Sequence, residues 1–320
     1  MSQTMKLGLT YSLFSGEELL PFSILAIRQH VDYVNVVFQE YSWFGDKCTP
    51  LVRPLLNDLK NKNLIDKAIE YPFKDFGNTK QMAWYVIDKK NRGLEDLKKN
   101  GCTHCMIMDC DEFYFADQFF KAKQFVAHNG ITHSACSIYW YRYLPELRLR
   151  DVSILAVPFI FELRADSQLT PFHNLPCYVD DLRTLLFMPN KDKFYYFNSL
   201  CMHHMSEIRF DFGKKTRAAF NNVTIQGRTA MSNALKNHTV EANLPKEELL
   251  AMKSESGGYV DVGDPFNLNE SLKLLRESAA PLFNHIDVDG GGAVKVIVFF
   301  LQQIKRLPLL SRGGRLFFLY

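Results

Sequence analysis

His104-Cys105-Met106-Ile107-Met108-Asp109-Cys110-Asp111-Glu112-Phe113-Tyr114-Phe115 is a short apolar run that ends in carboxylates and returns at once to aromatic residues. A brief apolar run bounded by polar turn residues reads as a strand buried on both faces. Just upstream, residues 78–100 are helical in composition and close on Lys98-Lys99-Asn100-Gly101, a helix stop. Further back, residues 67–71 and the β-branched stretch 33–38 read as strands. Residues 49–62 read as a helix opened by Thr49-Pro50, and residues 6–11 as the first strand. Ser15-Gly16-Glu17-Glu18 has the form of a capping box, with Ser15 as N-cap, and predicts a helix running to about His30. Strands alternating with helices in this way predict an α/β fold, a parallel sheet with helices on both faces. Ligands of such sheets gather beyond the C-terminal strand ends. Here those ends are Thr10-Tyr11-Ser12, Phe38-Gln39-Glu40, Tyr71-Pro72-Phe73 and Asp109-Cys110-Asp111.

The second half is less regular. Residues 137–143, 154–163 and 193–202 read as strands, residues 211–222 and 245–253 as helices, and residues 254–258 as a loop. The chain has 320 residues, 47% of them hydrophobic and 23% charged, which suits a globular protein with a sizeable core. A net charge of +3 argues against a dedicated nucleic-acid binder, so no nucleic-acid partner is expected. Seven scattered cysteines, an odd number, suit reduced thiols and a cytoplasmic location better than a disulfide framework. The start lacks the pattern of a secretory signal. The longest clean apolar run near the C-terminus, residues 296–301, falls far short of the ~20 residues of a membrane span. The tail from residue 293 to 320 nevertheless gathers Lys295, Lys305, Arg306, Arg312 and Arg315 beside apolar residues. It reads either as a terminal helix packed on the core or as a peripheral contact with the inner face of a membrane.

Two carboxylates at i and i+2 of an extended strand end share a side, which would put Asp109 and Asp111 together with Glu112 facing away. Both are charged at neutral pH and repel one another. A divalent cation relieves that repulsion, and all-oxygen ligation suits Mg²⁺ or Mn²⁺. The plain alternative is a solvated acidic turn, against which the apolar flanks on both sides argue.

The apolar strand followed by Asp109-Cys110-Asp111-Glu112-Phe113 resembles the DxD motif of GT-A glycosyltransferases, close to the family 2-like bacterial and viral sugar transferases. Val179-Asp180-Asp181-Leu182-Arg183-Thr184 and Met202-His203-His204-Met205-Ser206-Glu207-Ile208-Arg209 resemble two further segments of that group. The resemblance covers roughly residues 5–222. It implies a GT-A-type, Rossmann-like, mostly parallel sheet flanked by helices. A nucleotide-sugar half (about 1–115) and an acceptor half (about 116–222) would make a catalytic domain over residues 1–222, followed by a mostly helical C-terminal extension over residues 223–320. It further implies Mn²⁺ or Mg²⁺ on Asp109 and Asp111, bridging the diphosphate of a nucleotide-sugar, foremost a UDP-sugar. The acceptor would be a glycan or glycolipid in polysaccharide or lipopolysaccharide biosynthesis.

The same resemblance assigns roles to other residues. His204, or His203, completes the metal shell; neighbours in an extended segment face opposite ways, and the spacing before Ser206 favours His204. Arg209, Lys214 and Lys215 cover the diphosphate. Thr10, Tyr11, Gln39 and Glu40 meet the base and ribose, and Lys80 lies near the pyrophosphate. An inverting reaction needs a carboxylate base, for which Asp180 and Asp181 lead and Glu162 follows. Trp140, flanked by Tyr139 and Tyr141, offers an aromatic platform for an acceptor sugar. Two rival readings stay open: a metal-dependent nucleotidyltransferase or phosphoesterase, and a non-enzymatic carbohydrate-binding module.

Overall fold

A computed structural model describes residues 4–72, 82–171, 174–179, 182–218, 225–252 and 257–273. The first half alternates as expected: β1 (Leu7–Leu13), α1 (Leu20–Ile27), β2 (Tyr33–Phe38), α2 (Val52–Asn61), β3 (Lys67–Glu70), α3 (Met82–Lys99) and β4 (His104–Asp109). Then come β5 (Glu112–Phe113), α4 (Ala116–Asn129), β6 (His133–Trp140), β7 (Leu147–Leu149), β8 (Val157–Glu162), β9 (Leu169–Thr170) and β10 (Thr184–Leu185). The described chain ends with β11 (Phe194–His204), α5 (Phe212–Ala218), α6 (Ile225–Glu241), α7 (Lys246–Ala251) and β12 (Tyr259–Asp261).

Eight strands form one sheet in the order β3-β2-β1-β4-β8-β6-β11-β5. β3, β2, β1 and β4 are parallel neighbours, and β11 is parallel to β6. Only β8 and β5 run against the rest. The result is the expected α/β architecture, a curled, mostly parallel sheet flanked by helices.

The strands read as buried on both faces because each face has its own core. Leu7, Leu9, Tyr11 and Leu13 of β1 and Met106 and Met108 of β4 pack in the cluster that includes α1, α2 and α4. Cys105 and Ile107 turn the other way, onto Ile87, Leu94 and Leu97 of α3. Side chains alternate across a strand, so one apolar run serves both layers. On the α3 side β1 presents small residues, Gly8, Thr10 and Ser12, and α3 answers with Gly93. A Cβ on Gly93 would lie 2.0 Å from Thr10 Oγ1, so the helix sits as close to the sheet as a glycine allows. Asn35 of β2 donates to Gly93 O at 3.0 Å and to Asp96 Oδ2 at 3.1 Å, which fixes α3 along the sheet.

Two expectations change. The capping box does not form: α1 starts at Leu20 with Pro21 in its first turn, and no side chain caps it. Glu18 instead accepts the Phe210 backbone N–H at 2.8 Å, drawn away by a long-range partner. The boundary expected at residue 222 does not divide the core. β12 pairs with β7, and Phe266, Leu268 and Leu272 lie in the same buried cluster as β1 and β4. Among the described residues no helix is long and apolar enough to cross a membrane.

One irregularity shapes the site. β4 and β8 pair only at His104–Glu162 and Cys105–Phe161, so the C-terminal half of β4 leaves that ladder. The chain turns at Cys110-Asp111 and re-enters the sheet as β5 beside the end of β11, with Glu112 opposite His204. The C-terminal ends of β4 and β11 are thereby brought together.

Candidate active site

The turn after β4 places three carboxylates among buried basic groups. Met205 N–H donates to Asp111 O at 2.8 Å, and this backbone link, with the Glu112–His204 pairing, sets His204 beside Asp111. Asp111 is buried and its Oδ2 collects three basic side chains. Arg209 Nη2 hydrogen-bonds to it directly, Lys215 Nζ lies at 3.1 Å and His204 Nε2 at 3.5 Å. Burial works to raise the Asp111 pKa, but Lys215, Arg209 and His204 outweigh it and hold the carboxyl well below its ordinary range.

Arg209 is itself fixed. Its Nε donates to Ser206 O at 2.9 Å and its Nη1 to Ser15 O at 3.0 Å. Gly16 has φ +85°, and a Cβ there would lie 2.5 Å from Arg209 Nη1. Glycine is needed on both counts, for the left-handed backbone and for room.

Asp109 and Glu112 share Arg183. The guanidinium, buried at the split of the sheet, donates to Glu112 Oε1 at 2.6 Å and reaches Asp109 Oδ2 at 3.4 Å. Glu112 Oε2 also accepts the Asp109 backbone N–H at 3.2 Å. Burial alone would raise Asp109, yet Lys90 and Arg183 keep it below its ordinary value. Burial pushes Glu112 up despite Arg183. The Asp109 side chain is 37% exposed against 2% for Asp111, so Asp109 is the carboxylate that faces outward. Lys89 of α3 is buried with its Nζ on Leu13 O at 2.9 Å, and burial pushes its pKa down to about 7.

The residues expected to form a site divide into three groups. Asp109, Asp111, His204 and Arg209 come together, with Lys215 among them. Lys214 stands at the rim, its Nζ 5.6 Å from the centre of the Phe14 ring. Glu40, two residues beyond β2, is held in an ion pair with Arg53 at 2.5 Å. A second group is placed elsewhere. Tyr11 is fully buried with its hydroxyl 2.9 Å from Ser23 Oγ, and Thr10 is buried against Gly93, so neither faces a ligand. His203 lies in an aromatic nest with Phe115, Tyr139 and Phe266, its Nδ1 2.8 Å from the Tyr141 hydroxyl. Burial pushes its pKa down to about 3, so it is a neutral core residue and not a ligand beside Asp111. Glu162 pairs with Arg164 at 2.7 Å and stands opposite His104, at the start of β4. Five residue steps along the strand, about 17 Å at ~3.3 Å each, separate that end from Asp109, too far for a base in this site. Lys80, Asp180 and Asp181 form the third group and lie outside the described residues.

Sequence reasoning assigned no role to Lys89 and Lys90, which arrive from the middle of α3, and turned Glu112 away from the site. A β-turn, rather than a continuing strand, brings Glu112 in. Nothing local in the sequence marks either event.

A divalent cation fits this place in kind: Asp109 and Asp111 offer carboxylate oxygens and His204 an imidazole nitrogen. Among the described residues no three His, Cys, Asp or Glu side chains are gathered as a ready-made metal cluster. The position beside Asp111 Oδ2 is held by the Lys215 ammonium.

Fold and site together define an α/β protein whose mostly parallel sheet ends in a buried network of paired charges. No protein-family model matches the chain. No curated protein matches it either. Among solved structures, it is similar in layout to the crystal structure of S. aureus TarS, with a TM-score of 0.38 and 9% identity over 94% of this chain, spanning 55% of that longer chain. The crystal structure of S. aureus TarS 1-349 gives the same TM-score of 0.38 and 9% identity, with 92% of that chain covered.

Proposed function

We propose that the protein is a metal-dependent glycosyltransferase that moves a sugar from a nucleotide-sugar, foremost a UDP-sugar, to a glycan or lipid-linked acceptor. The observation that carries this reading is the junction of the Asp109-Cys110-Asp111 turn with Arg183, Arg209 and Lys215 at the C-terminal end of β4. Transfer breaks the anomeric C–O bond and leaves negative charge on a diphosphate. Fixed cations beside that oxygen lower the barrier most where water is excluded. Asp109, Asp111 and His204 would hold Mn²⁺ or Mg²⁺, and the bound ion would supply Lewis-acid stabilisation of the leaving group. Arg183 and Arg209 keep the carboxylates charged and oriented, and Lys90 adds positive potential at Asp109. Asp181 or Asp180 is the base we assign for an inverting reaction, taking the proton of the acceptor hydroxyl. Trp140, whose ring lies 4.4 Å from that of His204, is the platform we assign to the acceptor sugar. The basic, apolar tail after residue 293 lies outside the described residues; its contact with an anionic cytoplasmic membrane face is proposed from sequence alone, and co-sedimentation with anionic vesicles tests it through its loss at high salt.

Thermal melting decides the central claim. Mn²⁺ and UDP together are expected to raise the melting temperature more than either does singly, and a panel of nucleotide-sugars to release nucleotide in Mn²⁺. No shift with any nucleoside diphosphate sinks the reading.

A further inference from the structure

We infer that Lys215 is the exchangeable cation of the Asp111 site: its ammonium holds the place that a divalent metal takes, and metal binding has to evict it. The inference rests on the proposed role of Asp111 as a metal ligand and concerns the control of that site. Three basic side chains surround Asp111 Oδ2, and they differ in freedom. Arg209 is 6% exposed, hydrogen-bonded through Nε, Nη1 and Nη2, and boxed in by Gly16. The His204 ring lies 4.4 Å from the Trp140 ring at a tilt of 49° and carries a nitrogen that serves a metal as well as a carboxylate. Lys215 is 29% exposed, at the end of a flexible four-carbon stem on α5, and bridges Asp111 Oδ2 at 3.1 Å and Ser206 O at 3.0 Å.

An ammonium between a carboxylate and a carbonyl has the surroundings of a small cation. It cannot share them with a metal. Metal–oxygen bonds of about 2.1 Å bring a double charge closer to Asp111 than any N–H donor comes. Arg209 cannot withdraw to make room, so Lys215 has to swing to solvent, where its charge is well hydrated. Metal affinity is therefore set by a competition that Lys215 enters on the protein's side, and the evicted ammonium is delivered to the rim where a diphosphate would dock.

Mn²⁺ titration followed by electron paramagnetic resonance tests this on the full chain. Lys215→Gln is expected to bind Mn²⁺ at least tenfold more tightly than the parent protein. Lys214→Gln, with the same change of net charge one residue away, is expected to match the parent. Equal or weaker binding by Lys215→Gln, an equal gain in Lys214→Gln, or no Mn²⁺ binding by any of the three overturns the inference. A second measurement needs no variant. Mn²⁺ should raise the rate at which an acylating reagent labels Lys215 in the parent protein at least threefold, as read by mass spectrometry, and leave buried Lys89 unlabelled; an unchanged or slower rate at Lys215 counts against eviction. UDP-induced stabilisation without Mn²⁺ separates the outcomes: if it persists while the competition fails, donor binding stands and only the Lys215 role is lost.

Discussion

Asp111 and Asp109 are two positions apart, yet the surroundings of each assign it a different burden. Asp111 is buried against Arg209, so Asp111→Asn leaves a buried guanidinium short of its counter-charge, at a cost of about 3–5 kcal/mol. Asp109 is partly open and meets Arg183 only at 3.4 Å, so Asp109→Asn should cost less than about 1 kcal/mol. Both variants should lose the joint Mn²⁺–UDP shift. Urea unfolding of the two checks the contrast, and equal losses of stability would contradict it. That only one of His203 and His204 could face Asp111 was legible in the sequence, because adjacent residues of a strand face opposite sides; the preference for His204 came from the family resemblance alone. The partners of Asp111 were legible only in part: Arg209 and Lys215 lie about a hundred residues away, and no local pattern records which charge they neutralise.

α3 shows how an element carries site residues. It lies on β1 through Gly93 and is held along the sheet by Asn35, and it brings Lys89 to Leu13 O and the Lys90 charge to Asp109. Gly93→Ala places a methyl 2.0 Å from Thr10 Oγ1 and 3.1 Å from a Val37 methyl, so the helix has to lift. The expected cost is about 1–3 kcal/mol, as for other overpacked contacts. UDP binding should weaken with it, because both lysines ride on the displaced helix. Calorimetry of nucleotide binding alongside thermal melting reads the two effects; a variant as stable as its parent would mean that α3 is not seated this closely. The helix itself was plain from composition and its Lys98-Lys99-Asn100-Gly101 stop. α4 was missed, although Phe119, Ala122 and Val126 mark its buried face, because exposed Phe120 and Phe125 blur the period. β5 was not foreseeable at two residues, since its strand character comes wholly from β11.

Charges buried at the strand ends also tune the stability of the molecule with pH. Glu18 is buried, and burial, reinforced by Glu17, pushes its pKa up to about 7. A carboxyl raised in the folded state stabilises fully below its unfolded pKa of about 4.3 and loses that contribution as pH rises through about 7. Asp111 acts in the opposite sense: its depressed pKa contributes stability above about pH 4 that is lost in stronger acid. Glu18→Gln keeps an acceptor for the Phe210 N–H and should flatten the fall in stability between about pH 5 and pH 8, on the order of 2–3 kcal/mol, while leaving the acid limb alone. Denaturant melts across that range test it, and an unchanged slope would remove Glu18 as the cause.

Apolar period and punctuation were enough to establish the α/β class, the parallel run of the first strands and the strand end that carries the carboxylates, since these depend on neighbours a few residues apart. The split between β4 and β8, the return of the chain as β5, the burial of Thr10, Tyr11 and His203, and the cations gathered on Asp111 came only with the packed molecule. Each of these depends on which distant segment fills a given space, and a charge or a hydroxyl does not announce its partner until the chain has closed around it.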